Sequence, residues 1–135
     1  MKGIILAAGK GSRLYPMTRP VCKPLLPVYD KPMIYYPLAA LLQAGIRDIL
    51  IIIPPGEEGP FYRLLGSGGR FGVNITYEVQ EVERGIADAL LIGSQSIGDD
   101  SVCLVLGDYI FFSTNLHSFL DRAVAVQSGA CVFRF

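Results

Sequence analysis

The loop after the first apolar run carries glycines and cations at close spacing, over Leu6–Pro16 (LAAGKGSRLYP). Gly9 and Gly11 let the backbone approach a ligand closely and expose its N–H groups. Lys10 and Arg13 add positive charge beside those groups, and a guanidinium fork can hold two phosphate oxygens at once. The combination suits a triphosphate.

Two better-known phosphate motifs do not match this loop. The dinucleotide fingerprint needs a third glycine three residues after the second, and a Walker loop needs Gly-Lys-Ser/Thr after four intervening residues. The missing glycine disfavours a dinucleotide-binding redox domain. Glycine spacing alone fits an ordinary glycine-rich turn equally well, whereas Arg13 favours phosphate binding.

Two further charged residues are candidates for the site: Lys23 begins a rigid segment, and Asp108 follows an apolar one. Lys23 begins Lys23–Pro32, in which three prolines restrict the backbone, although a lone loop lysine is usually a solvated surface group. Asp108 follows Val102–Leu106 and Gly107. Because open α/β sheets bind ligands at the carboxyl ends of their strands, Asp108 is the best candidate ligand for Mg²⁺, which takes one or two carboxylates plus phosphate oxygens and water. A simple turn at Gly107-Asp108 is the alternative.

Short apolar runs alternate with segments of helical spacing, a pattern that predicts a parallel sheet covered by helices. The predicted strands are Gly3–Ala7, Ile49–Ile53, Ile75–Val79, Val102–Leu106 and Ala130–Phe135. The predicted helices are Met33–Ala44, Ile86–Ser94, Leu116–Val126 and, more weakly, Glu57–Leu65. Without a repeat or linker between them, we expect one α/β domain over residues 1–135.

Composition narrows the classes of partner. Twelve Lys and Arg balance twelve Asp and Glu without a basic cluster, so we expect no nucleic acid partner. The apolar run at Ile4–Ala8 is too short for a signal peptide or a membrane span. Three widely spaced cysteines fit neither a disulfide framework nor a metal knuckle, which favours a soluble, cytoplasmic protein. Cys103 and Cys131 are predicted to be small core residues.

Five segments agree with one known family in order and spacing. They are Leu6–Leu14, Lys23–Tyr36 (KPLLPVYDKPMIYY), Ala44–Ile52 (AGIRDILII), Leu64–Gly72 and Leu104–Phe111 (LVLGDYIF). Together they resemble the sugar-1-phosphate nucleotidyltransferases, most closely the glucose-1-phosphate thymidylyltransferases. The resemblance implies a Rossmann-like three-layer fold with a mostly parallel sheet, of the nucleotide-diphospho-sugar transferase type. It implies transfer of a thymidylyl group from dTTP to glucose 1-phosphate with release of pyrophosphate, with the choice between dTTP and UTP left open.

The resemblance also implies which residues bind the nucleotide. The matching positions are Leu6, Ala8, Gly9, Gly11, Ser12, Arg13, Gln80 and Gly85. Within this set, Gly9, Gly11 and Ser12 would cradle the nucleotide, and Gln80 and Gly85 would contact the pyrimidine base.

The same resemblance implies catalytic or metal-binding roles for three residues. Arg13 would stabilise the departing pyrophosphate, and Lys23 would hold phosphate oxygens near the reacting centre. Asp108 would bind Mg²⁺ as the cofactor. The protein would mainly position the reactants for in-line attack and neutralise charge, as phosphoryl-type transfers require.

The chain departs from the family pattern in three side chains and in length. Ser12 replaces threonine but keeps the hydroxyl, Asp88 replaces a common glutamine near the phosphates, and Tyr109 replaces asparagine beside the metal ligand. Family members extend well beyond this length, through the segments that carry the sugar contacts and a second metal-binding aspartate. A truncated, non-catalytic nucleotide-binding or assembly module is therefore the alternative. Cys131–Phe135 would form an uncovered edge strand, so we expect a homo-oligomer.

Overall fold

The computed structural model describes residues 1–133 and arranges them as strands and helices in alternation. The strands are β1 Lys2–Leu6, β2 Pro27–Val28, β3 Lys31–Pro32, β4 Asp48–Ile53, β5 Asn74–Val79 and β6 Val102–Leu106. The helices are α1 Tyr35–Gln43, α2 Glu58–Leu65, α3 Ile86–Ile92, α4 Ser94–Ile97 and α5 Leu116–Val124. Short 3-10 turns lie at Ser12–Leu14, Lys23–Leu25 and Gly69–Phe71.

The four longer strands form a parallel sheet in the order β5-β4-β1-β6. The chain leaves β1 toward β4 and β5 and then returns to the other side of β1 as β6. The strand order therefore reverses beside β1, and in open α/β sheets this is where ligands bind, at the carboxyl ends of the strands. Leu6 and Leu106, which end β1 and β6, are partners in the register.

Apolar side chains cover both faces of the sheet because its buried strands are apolar along their whole length. Ile5 and Ile51 face α1 and α2, in a core that includes Leu41 and Phe61. Ile4 and neighbouring residues face α3 and α4 in a second core cluster. Helices on two sides of the sheet make the three layers that the family resemblance implies.

Four of the predicted strands are confirmed, each to within one residue at its ends. The fifth prediction, Ala130–Phe135, is wrong for residues 130–133, which form no strand; Arg134 and Phe135 lie outside the described residues. A strand needs a neighbour to pair its backbone, and no described strand pairs with this segment. Cys131 is consequently exposed and not a core residue, whereas Cys103 packs against the core as expected. Self-association stays a prediction.

The predicted helices are present, with one interruption. The segment Ile86–Ser94 divides into α3 and α4 at Gly93, where the backbone packs closely on the sheet. A Cβ atom there would lie 2.9 Å from Cδ1 of Ile4 and 3.1 Å from Cδ2 of Leu50. Across residues 1–133, no helix combines the length and apolarity needed to cross a bilayer.

A small hairpin of β2 and β3 was not anticipated from the sequence. Tyr29 at its tip adopts φ 61°, a conformation that is uncommon for a residue with a side chain. The hydroxyl of Tyr36 donates a hydrogen bond to the carbonyl of Val28 at 2.8 Å, which ties the hairpin to α1. This contact holds the proline-rich segment that carries Lys23 against the domain.

Candidate functional site

A cleft of about 350 Å³ opens where β1 and β6 end. The backbone N–H of Gly107 donates to the carbonyl of Leu6 at 2.8 Å, so the two strand ends stay paired beyond β6. A Cβ atom on Gly107 would lie only 3.0 Å from Cβ of Ala7 and 3.2 Å from the Leu6 oxygen. The absence of a side chain thus permits this approach, and the approach places Asp108 in the cleft wall.

Lys23 and Asp108 meet in this cleft although 85 residues separate them. The Lys23 Nζ donates to Asp108 Oδ2 at 2.6 Å, and the two side chains are 24 % and 31 % exposed. Lys23 stands at the start of a 3-10 turn whose Pro24 is buried, which fixes the backbone below the ammonium group. Lys23 is thus only partly exposed, and Asp108 stands in a turn after β6, as the alternative interpretation of Gly107-Asp108 expected, while its side chain pairs with Lys23.

The glycine loop is folded against the Lys23 segment. Gly11 has φ 62°, and its carbonyl accepts a hydrogen bond from Thr18 Oγ1 at 3.0 Å. A Cβ atom on Gly11 would lie 2.8 Å from Cγ2 of Thr18 and 2.9 Å from Cβ of Lys23. Around Gly9, by contrast, a Cβ atom would meet no other heavy atom within 4 Å. The loop is therefore closely packed at Gly11 and open at Gly9.

A carboxylate of the protein itself accepts a hydrogen bond from the backbone of the glycine loop. The N–H of Lys10 donates to Glu83 Oε1 at 2.9 Å, and both residues line the cleft. Sequence reasoning missed Glu83, because a single glutamate in a polar segment has no spacing signal that links it to a loop 73 residues away. Its contact shows that the Lys10 amide points toward a position where negative charge can bind.

Most residues predicted for the site lie together. The cleft lining includes Leu6, Gly9, Gly11, Ser12, Arg13, Lys23 and Asp108. Ala8 is 2 % exposed and packs with Ala89 in the core, so only its backbone could meet a ligand. Gln80 and Gly85 lie outside the lining, on the segment that carries Glu83.

Gln80 ends the ladder between β5 and β4, where its N–H donates to the Ile53 carbonyl at 2.9 Å. The side chain is buried, and its Nε2 donates to Asp88 Oδ2 at 2.8 Å. Asp88, which the resemblance implies to lie near the phosphates, thus accepts a hydrogen bond from Gln80. Gly85, with φ 89°, precedes α3 and is exposed.

The carboxylates of the cleft lining fit a hard cation such as Mg²⁺ whose remaining ligands come from a bound molecule and water. Asp108 and Glu83 are the acidic residues of the lining, and within residues 1–133 no three His, Cys, Asp or Glu side chains converge as a closed metal site. Mg²⁺ commonly takes one or two carboxylates and completes its shell with phosphate oxygens and water. The next residue, Tyr109, packs its ring edge-on against Phe111 at 6.2 Å.

The three layers and the cleft beside the first strand define a Rossmann-like α/β domain with its site at the carboxyl edge of a parallel sheet. Comparison with known proteins identifies the family within this class of fold. The chain belongs to the nucleotidyl transferase family, whose profile matches residues 2–134.

Individual relatives agree with this family. A glucose-1-phosphate thymidylyltransferase of Neisseria meningitidis is 57 % identical over 135 residues, which are 100 % of this chain and 47 % of the relative. A Bacillus anthracis structure assigned to the same enzyme, in complex with sucrose, superposes with a TM-score of 0.84 at 46 % identity, covering 90 % of this chain and 49 % of that one. The structure of a UDP-glucose pyrophosphorylase complexed with UDP-glucose superposes with a TM-score of 0.75 at 25 % identity. The superposition covers 92 % of this chain and 52 % of that one. The chain thus spans about half the length of the relatives it matches.

Proposed function

We propose that residues 1–135 form a single nucleotide-binding domain, the N-terminal part of a glucose-1-phosphate thymidylyltransferase. The protein would transfer a thymidylyl group from dTTP to glucose 1-phosphate, giving dTDP-glucose and pyrophosphate. The observation that carries the proposal is the Lys23–Asp108 pair at 2.6 Å in the cleft lined by the glycine loop. The names of the similar proteins support the choice of nucleotide and sugar phosphate.

The reaction would need placement and charge neutralisation from these residues. A phosphate oxygen of glucose 1-phosphate attacks the α-phosphorus of dTTP, and the bond from that phosphorus to the oxygen bridging to the β-phosphate breaks. The electron pair leaves with pyrophosphate. In this scheme Arg13 and the loop amides hold the departing oxygens, and Lys23 holds oxygens near the α-phosphorus.

Mg²⁺ is proposed as the cofactor, with Asp108 as its protein ligand; when bound, it would neutralise charge on the phosphate oxygens. The carboxylate of Asp108 is now shared with Lys23. In this arrangement Asp108 would hold the cation, and the neighbouring Lys23 ammonium group would bind phosphate oxygens. The pair would thus supply one ligand for Mg²⁺, Asp108, and one cation for the phosphates, Lys23.

Lys23→Ala is expected to weaken binding of dTTP with Mg²⁺ by about tenfold to 100-fold, because one charge-assisted contact to phosphate is lost. Titration calorimetry measures this effect. Lys31→Ala is the matched control, since Lys31 pairs with the exposed Asp30 outside the cleft lining. Equal affinities for Lys23→Ala and the control would contradict the role of Lys23.

A pyrophosphate-release assay with glucose 1-phosphate and either dTTP or UTP tests the activity itself. We expect release that requires both substrates and Mg²⁺. The alternative is a non-catalytic nucleotide-binding or assembly module of the same fold; the chain spans about half the length of its relatives. Tight dTTP binding without pyrophosphate release by this chain would support that alternative. We further propose that the protein is cytoplasmic and self-associates.

A further inference from the structure

Glu83 binds a backbone donor of the glycine loop inside the cleft. Its Oε1 accepts a hydrogen bond from the Lys10 N–H at 2.9 Å, and both residues belong to the cleft lining. Glu83 lies between β5 and α3, within residues 81–85, which are all exposed and form neither strand nor helix. Because this segment buries little, the carboxylate can leave the loop without disturbing the core.

The Lys10 amide can serve only one strong acceptor at a time, because a single N–H carries a single proton. A carboxylate and a phosphate both present anionic oxygens that form charge-assisted hydrogen bonds with backbone N–H groups. Glu83 therefore uses the loop donor as a phosphate oxygen would, and the two compete for it. A phosphate that binds the Lys10 amide must first displace Glu83.

The charges of the cleft lining indicate which ligand this competition favours. The lining carries three cationic and two anionic side chains, which are Lys10, Arg13, Lys23, Asp108 and Glu83. Asp108 pairs with Lys23 at 2.6 Å, whereas Glu83 forms no ion pair within residues 1–133. The displaced Glu83 carboxylate would remain near the bound phosphates, because its segment borders the glycine loop. Two like charges at such short range repel each other, and the repulsion grows with the charge of the ligand.

We propose that Glu83 determines specificity by admitting the Mg²⁺ complex of a nucleoside triphosphate in preference to the metal-free anion. A metal-free triphosphate carries about four negative charges at neutral pH and its Mg²⁺ complex about two, so the carboxylate repels the free anion more strongly. The complex therefore displaces Glu83 with a smaller loss of free energy. The inference rests on the proposed function, because it assumes that the cleft binds a nucleoside triphosphate.

The test measures the affinity of dTTP by titration calorimetry, once with Mg²⁺ and once with a chelator. In Glu83→Ala the competing carboxylate is gone, so both forms of dTTP should bind more tightly. We expect a gain of about threefold for the Mg²⁺ complex and about tenfold or more for the metal-free anion. The preference for the complex should consequently shrink by at least about threefold.

Glu81→Ala is the matched control, because it removes an equal charge from the same exposed segment but from outside the cleft lining. It should leave both affinities within about twofold, since solvent and salt screen exposed charges that do not contact the ligand. Glu83→Gln keeps an acceptor for the Lys10 amide and removes only the charge. It should narrow the preference as Glu83→Ala does but gain less affinity. Thermal melting verifies that each variant is folded.

The Lys10 amide resonance in nuclear magnetic resonance spectra reports the exchange of acceptors directly. In Glu83→Ala the Lys10 proton signal should move upfield, because the charge-assisted hydrogen bond is lost. Inorganic pyrophosphate should then move the signal back downfield as a phosphate oxygen takes the place of the carboxylate. A signal that pyrophosphate leaves unchanged in this variant would mean that phosphate does not bind the Lys10 amide, and the inference would be wrong.

Two calorimetric results would overturn the inference while leaving the proposed function intact. The first is an unchanged ratio of the two dTTP affinities in folded Glu83→Ala. The second is weaker binding of both forms by that variant, which is expected if Glu83 only fastens its segment to the loop. If neither the unaltered chain nor Glu83→Ala binds dTTP with Mg²⁺, the proposed function fails and the inference fails with it.

Discussion

Replacing Arg13 with alanine is expected to weaken binding of dTTP with Mg²⁺ by about 30-fold to 1,000-fold, or roughly 2–4 kcal/mol. Arg13 lies in the 3-10 turn that follows Gly11 and lines the cleft with an exposed side chain. Its planar fork can make two charge-assisted hydrogen bonds to phosphate oxygens, and alanine removes both. Within residues 1–133 the Arg13 side chain makes no hydrogen bond or ion pair, so the loss should be one of affinity and not of stability.

Three comparisons make this prediction specific. Arg63→Ala is the matched control, since Arg63 is an exposed arginine in the last turn of α2 outside the cleft lining. Arg13→Lys keeps the charge but not the fork, so it should recover only part of the lost affinity. Inorganic pyrophosphate should show the same order of affinities as dTTP. If Arg13→Ala and Arg63→Ala bind dTTP alike, the phosphate role of Arg13 is wrong.

The sequence predicts the parts of this fold that depend on local pattern. Continuous apolar runs such as Ile49–Ile53 identify the buried strands, because both faces of a central parallel strand are covered. The segment Ala130–Phe135 has the same local character, but residues 130–133 pair with no strand, so apolarity alone misleads there. Strand formation depends on a neighbour elsewhere in the chain, which a local pattern does not contain.

The contacts inside the site are also non-local. Lys23 reaches Asp108 across 85 residues, and the Lys10 amide reaches Glu83 across 73. Each residue type suggests a role in phosphate or metal binding, but side-chain pairing follows from the strand order and the turns. Asp88 illustrates the difference: its charge is evident from the sequence, whereas its hold on Gln80 requires α3 to be placed beside the end of β5.

Gly11→Ala is expected to lower the free energy of unfolding by about 2–5 kcal/mol. A φ of 62° costs an alanine roughly 1–2 kcal/mol, and forcing a methyl group into a filled space commonly costs about 1–3 kcal/mol more. The added Cβ would lie 2.8 Å from Cγ2 of Thr18 and 2.9 Å from Cβ of Lys23. Relief of the second clash displaces Lys23, so the variant should lose both stability and the Lys23–Asp108 pair.

Gly9→Ala in the same loop is expected to leave the stability of the fold nearly unchanged but to weaken binding of dTTP. Gly9 has a φ outside the positive region, and a Cβ there meets nothing within 4 Å, so the free energy of unfolding should change by less than about 0.5 kcal/mol. The open space beside Gly9 is where the proposed phosphates approach the backbone, so its methyl group should still weaken dTTP binding. Chemical denaturation measures the stabilities and calorimetry the affinities. If both variants are equally stable, the packing role of Gly11 is wrong; if Gly9→Ala binds dTTP like the unaltered chain, the nucleotide does not approach the loop at Gly9.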